Sequence, residues 1–214
     1  MKNVITIDGP SGSGKGTISK LLAGKLGYNY LDTGALYRAV AWKVREEKTD
    51  PDNEEALKRI MEDIKITING DRIFVDRTDV SADIRTAEIG ELSSRVSAKP
   101  VVRAGLFSLQ REMGLKGNVV IEGRDTGTAI FPEAENKFYL DASLEERARR
   151  RYRELTLLDP EASISQTIED IRNRDARDSS RESSPLKKAD DMIYIDSTHL
   201  RIDEVVAKIL DHLK

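Results

Sequence analysis

Cysteine is missing from the 214-residue chain, which excludes disulfides and thiolate metal sites. Histidine is scarce: His199 and His212 both lie near the C-terminus, and this argues against a histidine-bound zinc or a catalytic triad. Long apolar runs are lacking as well. No stretch of about 18 apolar residues and no signal peptide is found, so a cytoplasmic protein without membrane partners is expected. Basic charge is not in excess: 35 Lys and Arg against 38 Asp and Glu give a net charge of −3 and a pI near 5.6. That balance argues against a general binder of nucleic acid or anionic membrane, so any arginine cluster must be read as a local site. There is no internal repeat. The single tryptophan, Trp42, is read as core.

With 38% hydrophobic and 34% charged residues, the chain can bury a sizeable core beneath a heavily charged surface. One α/β domain over 1–214 is expected, carrying a small insert. Its opening is the most informative stretch. Asn3 to Asp8 is apolar and β-branched, as a buried strand requires. Gly9-Pro10-Ser11-Gly12-Ser13-Gly14-Lys15-Gly16-Thr17 follows, and then Ile18, Leu21, Leu22 and Leu26 recur at helical spacing. Strand, glycine-rich turn and helix form the context of a phosphate-binding loop. Its glycines let backbone N–H groups turn inward as an anion nest, the helix N-terminus adds partial positive charge, and Lys15 can reach the β- and γ-phosphates. One position departs from the usual GxxxxGK[ST] pattern. Gly16 stands where a hydroxyl is expected and Thr17 follows it, which leaves open whether Thr17 meets a metal directly or through water.

Further strands are expected at 28–32, 118–122, 137–141 and 192–196, alternating with helices; the result is a five-stranded, mostly parallel, doubly wound sheet. Asp8, Asp32, Glu122, Asp141 and Asp196 fall at the carboxyl ends of these strands, where ligands bind in such folds. Between helix 54–63 and residue 84 the period changes to two. Ile64, Ile66 and Ile68 alternate with polar residues, Asn69-Gly70 predicts a type I′ hairpin turn, and Ile73 and Val75 resume the alternation. This marks a small antiparallel insert over 63–84. Ser81 is expected to cap the helix that follows, with Ile89 and Leu92 on its buried side, and Pro100 to open a helix to Met113. Ser143 and Glu146 read as a capping box. Two arginine-dense helical stretches, 147–153 and 172–181, are joined by the 157–163 loop.

Three reactions share such a loop. A guanine-nucleotide switch needs an NKxD string and a hydrolysis glutamine, and neither is present. A motor or transporter ATPase usually shows an apolar strand ending in Asp-Glu, whereas each strand here ends in a single acid. Phosphoryl transfer to a small acceptor relies on positioning and on charge neutralisation by Mg²⁺, Lys and Arg. Arg38, Arg124, Arg174 and Arg181 suit that task, because a guanidinium clamps phosphate oxygens bidentately.

The motifs ITIDGPSGSGKGT, LDTGALYR, DVSADIRT, GRDTGT and RDARDSSR, with the DST after the last strand, resemble those of the bacterial cytidylate kinases, in order and over essentially the full length. The resemblance implies ATP and CMP or dCMP as substrates, with Mg²⁺, in a monomeric enzyme of pyrimidine nucleotide metabolism. It implies a core, a CMP-binding insert (63–84) and an arginine-rich lid (149–181). Carried onto this chain, Gly9, Pro10, Ser11, Gly12, Ser13, Gly14, Lys15, Gly16 and Thr17 hold ATP. Thr33, Arg38, Ser94, Arg103, Arg124, Asp125, Arg174 and Asp178 hold CMP, with Ser94, Arg103 and Asp125 at the positions that read cytosine. Lys15, Arg124, Arg174 and Arg181 carry the catalysis. The base-reading set agrees with cytosine chemistry: N3 and O2 accept and N4 donates, so Arg plus a carboxylate is complementary.

The chemistry needs no general base, since the acceptor phosphate is already anionic. No direct metal ligand is assigned, and Asp32 and Glu122 are candidates for water-mediated contact with Mg²⁺, with helix capping and core hydrogen bonding as the competing roles. The lid, arginine-rich helices joined by the Leu157-Leu158-Asp159-Pro160-Glu161 loop, is expected to close when phosphates neutralise its arginines. Two rival readings stay open at this point: a kinase of the same class with another acceptor, such as shikimate or a different monophosphate, and a nucleotide-binding regulatory or RNA-associated protein without turnover.

Overall fold

The computed structural model describes residues 3–157 and 160–214. It divides into two compact bodies, one formed by Met1–Leu31 with Met113–Lys214 and one by Asp32–Glu112.

The first body is built on a five-stranded sheet in the order β2-β6-β1-β7-β8. Its strands are β1 (Val4–Asp8), β2 (Asn29–Asp32), β6 (Val119–Gly123), β7 (Asn136–Asp141) and β8 (Ile193–Asp196). β1 pairs in parallel with β6 and β7, and β7 with β8. The central strand Val-Ile-Thr-Ile-Asp is buried along its whole length, as expected of a strand covered on both faces. Ile5, Ile7, Val120, Phe138 and Leu140 form a core with Ile18 and Leu22 of α1 (Lys15–Leu26) and Val205 and Ile209 of α8 (Ile202–Asp211). α6 (Leu144–Thr156) and α7 (Ile164–Ser180) complete this body. Ser143 caps α6 by accepting from Glu146 N–H at 3.2 Å, but the Glu146 carboxylate pairs with Arg150 one turn on. The expected capping box is therefore only half made. Of the expected loop between the lid helices, Leu158 and Asp159 lie outside the described residues.

The second body holds α2 (Thr33–Glu46), α3 (Glu54–Asp63), α4 (Ala87–Val96), most of α5 (Pro100–Leu115) and the antiparallel sheet β3 (Ile66–Asn69), β4 (Arg72–Val75), β5 (Thr78–Asp79). Leu36, Val40, Leu57, Ile60, Val75, Ile84 and Ile89 form its core, against which Trp42 packs.

Two sequence expectations fail here for local reasons. The first hairpin turns on Gly70 and Asp71, because Asn69 pairs with Arg72; only Gly70 has positive φ, so the turn is not type I′. The two-residue turn with both φ positive is the next one, Asp76 (49°) and Arg77 (78°), which brings in the unexpected third strand. Asp76 is tied down there. Its N–H donates to Lys65 C=O, its carboxylate accepts from Lys65 N–H at 3.0 Å, and Lys43 reaches it at 2.8 Å. Ser81 caps no helix: its hydroxyl accepts from Ile73 N–H and donates to Asp79. The cap of α4 is Thr86, which accepts from Ile89 N–H.

Candidate active site

The glycine-rich loop leaves β1 at Gly9 and enters α1 at Lys15. Gly12 (φ 77°) and Gly14 (φ 89°) take the left-handed conformation that the tight loop requires. A Cβ at Gly9 would lie 2.0 Å from Leu140 C=O on β7, so only glycine permits the loop to leave the sheet this closely. Lys15 folds back into the loop and donates to Pro10 C=O at 3.0 Å. Burial, with Arg124 and Arg174 as neighbouring cations, pushes its ammonium down to about 7, against the pull of Glu122 and Asp178. The missing hydroxyl at position 16 has a structural counterpart. A Cβ on Gly16 would come within 3.0 Å of Glu122 Oε1, which accepts the Tyr30 hydroxyl at 2.9 Å. A carboxylate thus faces the position where the usual motif places a small hydroxyl.

Four of the expected site residues assemble into one buried cluster. Arg124, just beyond β6, donates from Nε to Asp178 Oδ2 at 2.8 Å, and Arg181 donates to Asp125 Oδ1 at 3.1 Å while lying 3.9 Å from Asp178. Burial alone would raise the Asp178 carboxyl, but Arg124, Arg174 and Arg181 hold it below the usual carboxylate range. Asp125 begins a wide helical turn, its C=O accepting from Thr128, Ala129 and Ile130 N–H. Asp8 anchors that turn. Its carboxylate, fully buried at the end of β1, accepts from Thr126 N–H (2.9 Å), Thr126 Oγ1 (2.7 Å) and Gly127 N–H (2.8 Å). Burial nevertheless pushes its carboxyl up to about 6.

Arg174 lies on α7 of the first body; Thr33, Arg38, Ser94 and Arg103 belong to the second. Asp32 Oδ1 caps α2 through Ala35 N–H, while Oδ2 lies 3.6 Å from Arg38 and 3.2 Å from Arg85. Its carboxylate is thus engaged in capping and in holding two arginines, the alternative to a role beside Mg²⁺. Thr33 is buried at the start of α2. Ser94 is buried on α4, and its hydroxyl finds no hydrogen-bond partner among the described residues. Arg103 lies over the Tyr37 ring at 5.5 Å and donates to Ser97 C=O.

Sequence reasoning missed the groups that grip the glycine loop from outside. Arg147 Nη1 donates to Ser11 C=O at 2.9 Å, and Arg150 Nη1 donates to Ser13 C=O at 3.2 Å. Ser11 N–H donates to Asp175 Oδ1 at 3.0 Å, and Arg147 also donates to Asp175. The 147–153 stretch is therefore not purely a lid of phosphate-seeking charge, since two of its arginines are committed to loop carbonyls. Asp175 had one available signal, its place beside Arg174 and three residues before Asp178 on α7.

Sheet order, glycine loop, buried lysine and the arginine cluster together define a kinase of the phosphate-binding-loop class. The cytidylate kinase family model matches residues 5–214. A cytidylate kinase of Carboxydothermus hydrogenoformans is 49% identical over 211 residues, covering 97% of this chain and 95% of its own. One from Stutzerimonas stutzeri is 46% identical, covering 98% and 94%. An uncharacterised protein from Eubacterium ventriosum shares the fold at a TM-score of 0.57 and 13% identity, covering 98% of this chain and 97% of that one. The chain belongs to the cytidylate kinase family and is an enzyme that transfers the γ-phosphoryl group of ATP to CMP or dCMP.

Proposed function

We propose that Gly9 to Thr17 hold the ATP phosphates and that Lys15, Arg124, Arg174 and Arg181 carry the charge that develops on the transferring phosphoryl group. The observation behind this reading is Lys15 itself. Its ammonium is folded into the glycine loop against Pro10 C=O and is pushed down to about 7, chiefly by burial and then by Arg124 and Arg174, a desolvated cation that an incoming phosphate would pair. For the acceptor we assign Thr33, Arg38, Ser94, Arg103, Arg124, Asp125, Arg174 and Asp178, the residues that the family resemblance gives. The Ser94 hydroxyl, buried without a partner among the described residues, supports a ligand contact there.

Mg²⁺ belongs to the same reading. The ion would keep most of its waters and be held mainly by substrate phosphates. Thr17, exposed on the first turn of α1, and Glu122 would be the protein groups to meet its water shell. When bound, Mg²⁺ would neutralise charge on the β- and γ-oxygens. We further propose that the 63–84 insert serves CMP, that 149–181 moves as a lid, and that the enzyme is a cytoplasmic monomer of pyrimidine nucleotide metabolism. Among the described residues no helix is long and apolar enough to cross a membrane.

ADP formation measured with CMP, dCMP, UMP, AMP and shikimate tests the assignment. Turnover is expected with CMP and dCMP, weaker with UMP, and absent with AMP and shikimate. Equal rates with AMP and CMP would refute the assigned base-reading set.

A further inference from the structure

The strongest uncommitted feature is the grip on the loop apex. Ser11 gives its N–H to Asp175 and its C=O to Arg147, and Arg147 donates to Asp175 as well, closing a three-membered ring of hydrogen bonds. The ring joins three separate stretches, the glycine loop, α6 and α7. Gly12, next along the loop, packs directly on the Arg147 backbone, where a Cβ would lie 2.8 Å from the Arg147 C=O. On the inner side of the same apex, Lys15 is bonded to Pro10 C=O. The lysine and the ring therefore hold adjacent residues of one loop.

On α7, Asp175 directly follows Arg174. One turn further on, Asp178 holds Arg124 at 2.8 Å. A helix fixed at Asp175 has both its rotation and its rise set where Arg174 departs. A carboxylate that accepts a backbone N–H and an arginine N–H at once is a strong and directional anchor. Asp175 is only partly buried, with 18% of its side chain exposed, so it is not a core residue whose loss must unfold the protein.

We infer that Asp175, with Arg147, is a positioning residue for phosphoryl transfer: it locks α7 to the apex of the donor loop and so sets the placement of Arg174 against the phosphates. The inference rests on the proposed role of Arg174. It does not require Asp175 to touch either nucleotide. It also confines any lid movement, because the arginine-bearing half of α7 is already fastened to the donor loop.

The test compares Asp175→Ala, Asp175→Asn, Arg147→Ala, the Asp175→Ala/Arg147→Ala pair and Arg174→Met. Steady-state kinetics are measured with ATP and CMP, with thermal midpoints and ADP affinity by calorimetry. Asp175→Ala is expected to lower kcat about 10- to 100-fold, as misplacement of a charge-stabilising group does, while KM for CMP and ADP affinity stay within about threefold. Asp175→Asn keeps an acceptor for Ser11 N–H and is expected to recover a substantial part of kcat. The double variant is expected to be no worse than the poorer single one, because the ring is already open. Wild-type kcat in Asp175→Ala, a loss of ADP affinity with kcat intact, or full additivity in the double variant would each overturn the inference. Should Asp175→Ala fail to fold, Asp175→Asn and Arg147→Ala carry the same kcat-against-KM comparison. Arg174→Met separates the two readings. Full activity in that variant would refute the role of Arg174, whereas an inactive Arg174→Met beside a fully active Asp175→Ala would refute the positioning role alone.

Discussion

Arg181 donates to Asp125 across 3.1 Å, and both side chains are buried. A buried carboxylate already paired on one oxygen is held in a fixed orientation, which is what discrimination between an amine and a carbonyl requires. In the reading adopted here, Asp125 accepts from cytosine N4–H, whereas uracil would present an oxygen to it. A repelled or unpaired buried contact costs about 1–3 kcal/mol, or roughly 5- to 150-fold in preference. Asp125→Asn should therefore narrow the CMP-over-UMP preference by a factor in that range and leave ATP affinity nearly intact. The check is the ratio of kcat/KM for the two acceptors; an unchanged ratio would remove Asp125 from base reading.

The depressed Lys15 ammonium makes a prediction about protons. Without donor, a group with its pKa near 7 is mostly neutral at pH 8; arriving phosphates raise that pKa, so donor binding at pH 8 should take up protons. Calorimetry of ADP binding in buffers of different ionisation enthalpy measures the uptake, and it should vanish in Lys15→Met. The sign for stability follows from the same shift. Between about 7 and the ordinary value of 10.5 the unfolded chain binds more protons at Lys15 than the folded one, so the Lys15 contribution to stability rises with pH across that window. Lys15→Met should also lower kcat by about 10²- to 10³-fold, as removal of one transition-state donor does. Activity within about threefold of the parent would show that Lys15 carries no such charge.

Lid closure is expected to be read at the start of α7. Hydrogen exchange with and without a bisubstrate analogue should show protection gained at the start of α7, Ile164 to Thr167, and little change around Asp175, where Ser11 already holds the helix. Indistinguishable exchange at Ile164 to Thr167 would count against a moving lid.

The sequence displayed the frame of this molecule because the signals that build it are local. β1 and the glycine loop are contiguous, every residue of β1 is buried, and α3 spans Glu54–Asp63, the bounds its sequence implies. The central strands were likewise visible as short apolar runs. The grips were not, since they are contacts across the chain: Asp175 meets a loop 164 residues away, and Asp8 meets one 118 residues away. A carboxylate at a strand end gives no local sign of whether it will face Mg²⁺, a helix end or another loop. Ser81 and Glu146 show the converse failure. Each fits a capping pattern, yet Asp79 and Arg150 offered them better partners once the chain had folded. Local rules also pointed to Asn69-Gly70 for a turn with two positive φ angles and gave no warning of Asp76-Arg77, which lacks glycine.

That glycine-free turn bears on the order in which the second body assembles. Two non-glycine residues in the left-handed region cost roughly 1 kcal/mol or more each, so the β4–β5 hairpin is not self-supporting. Its stabilising contacts come from Lys65 and, on α2, from Lys43. The hairpin should therefore close after α2 is in place, late on the folding route. Asp76→Ala is then expected to speed unfolding with little effect on the folding rate, read from the two arms of a denaturant chevron. A mainly slowed folding arm would place the turn in the nucleus instead.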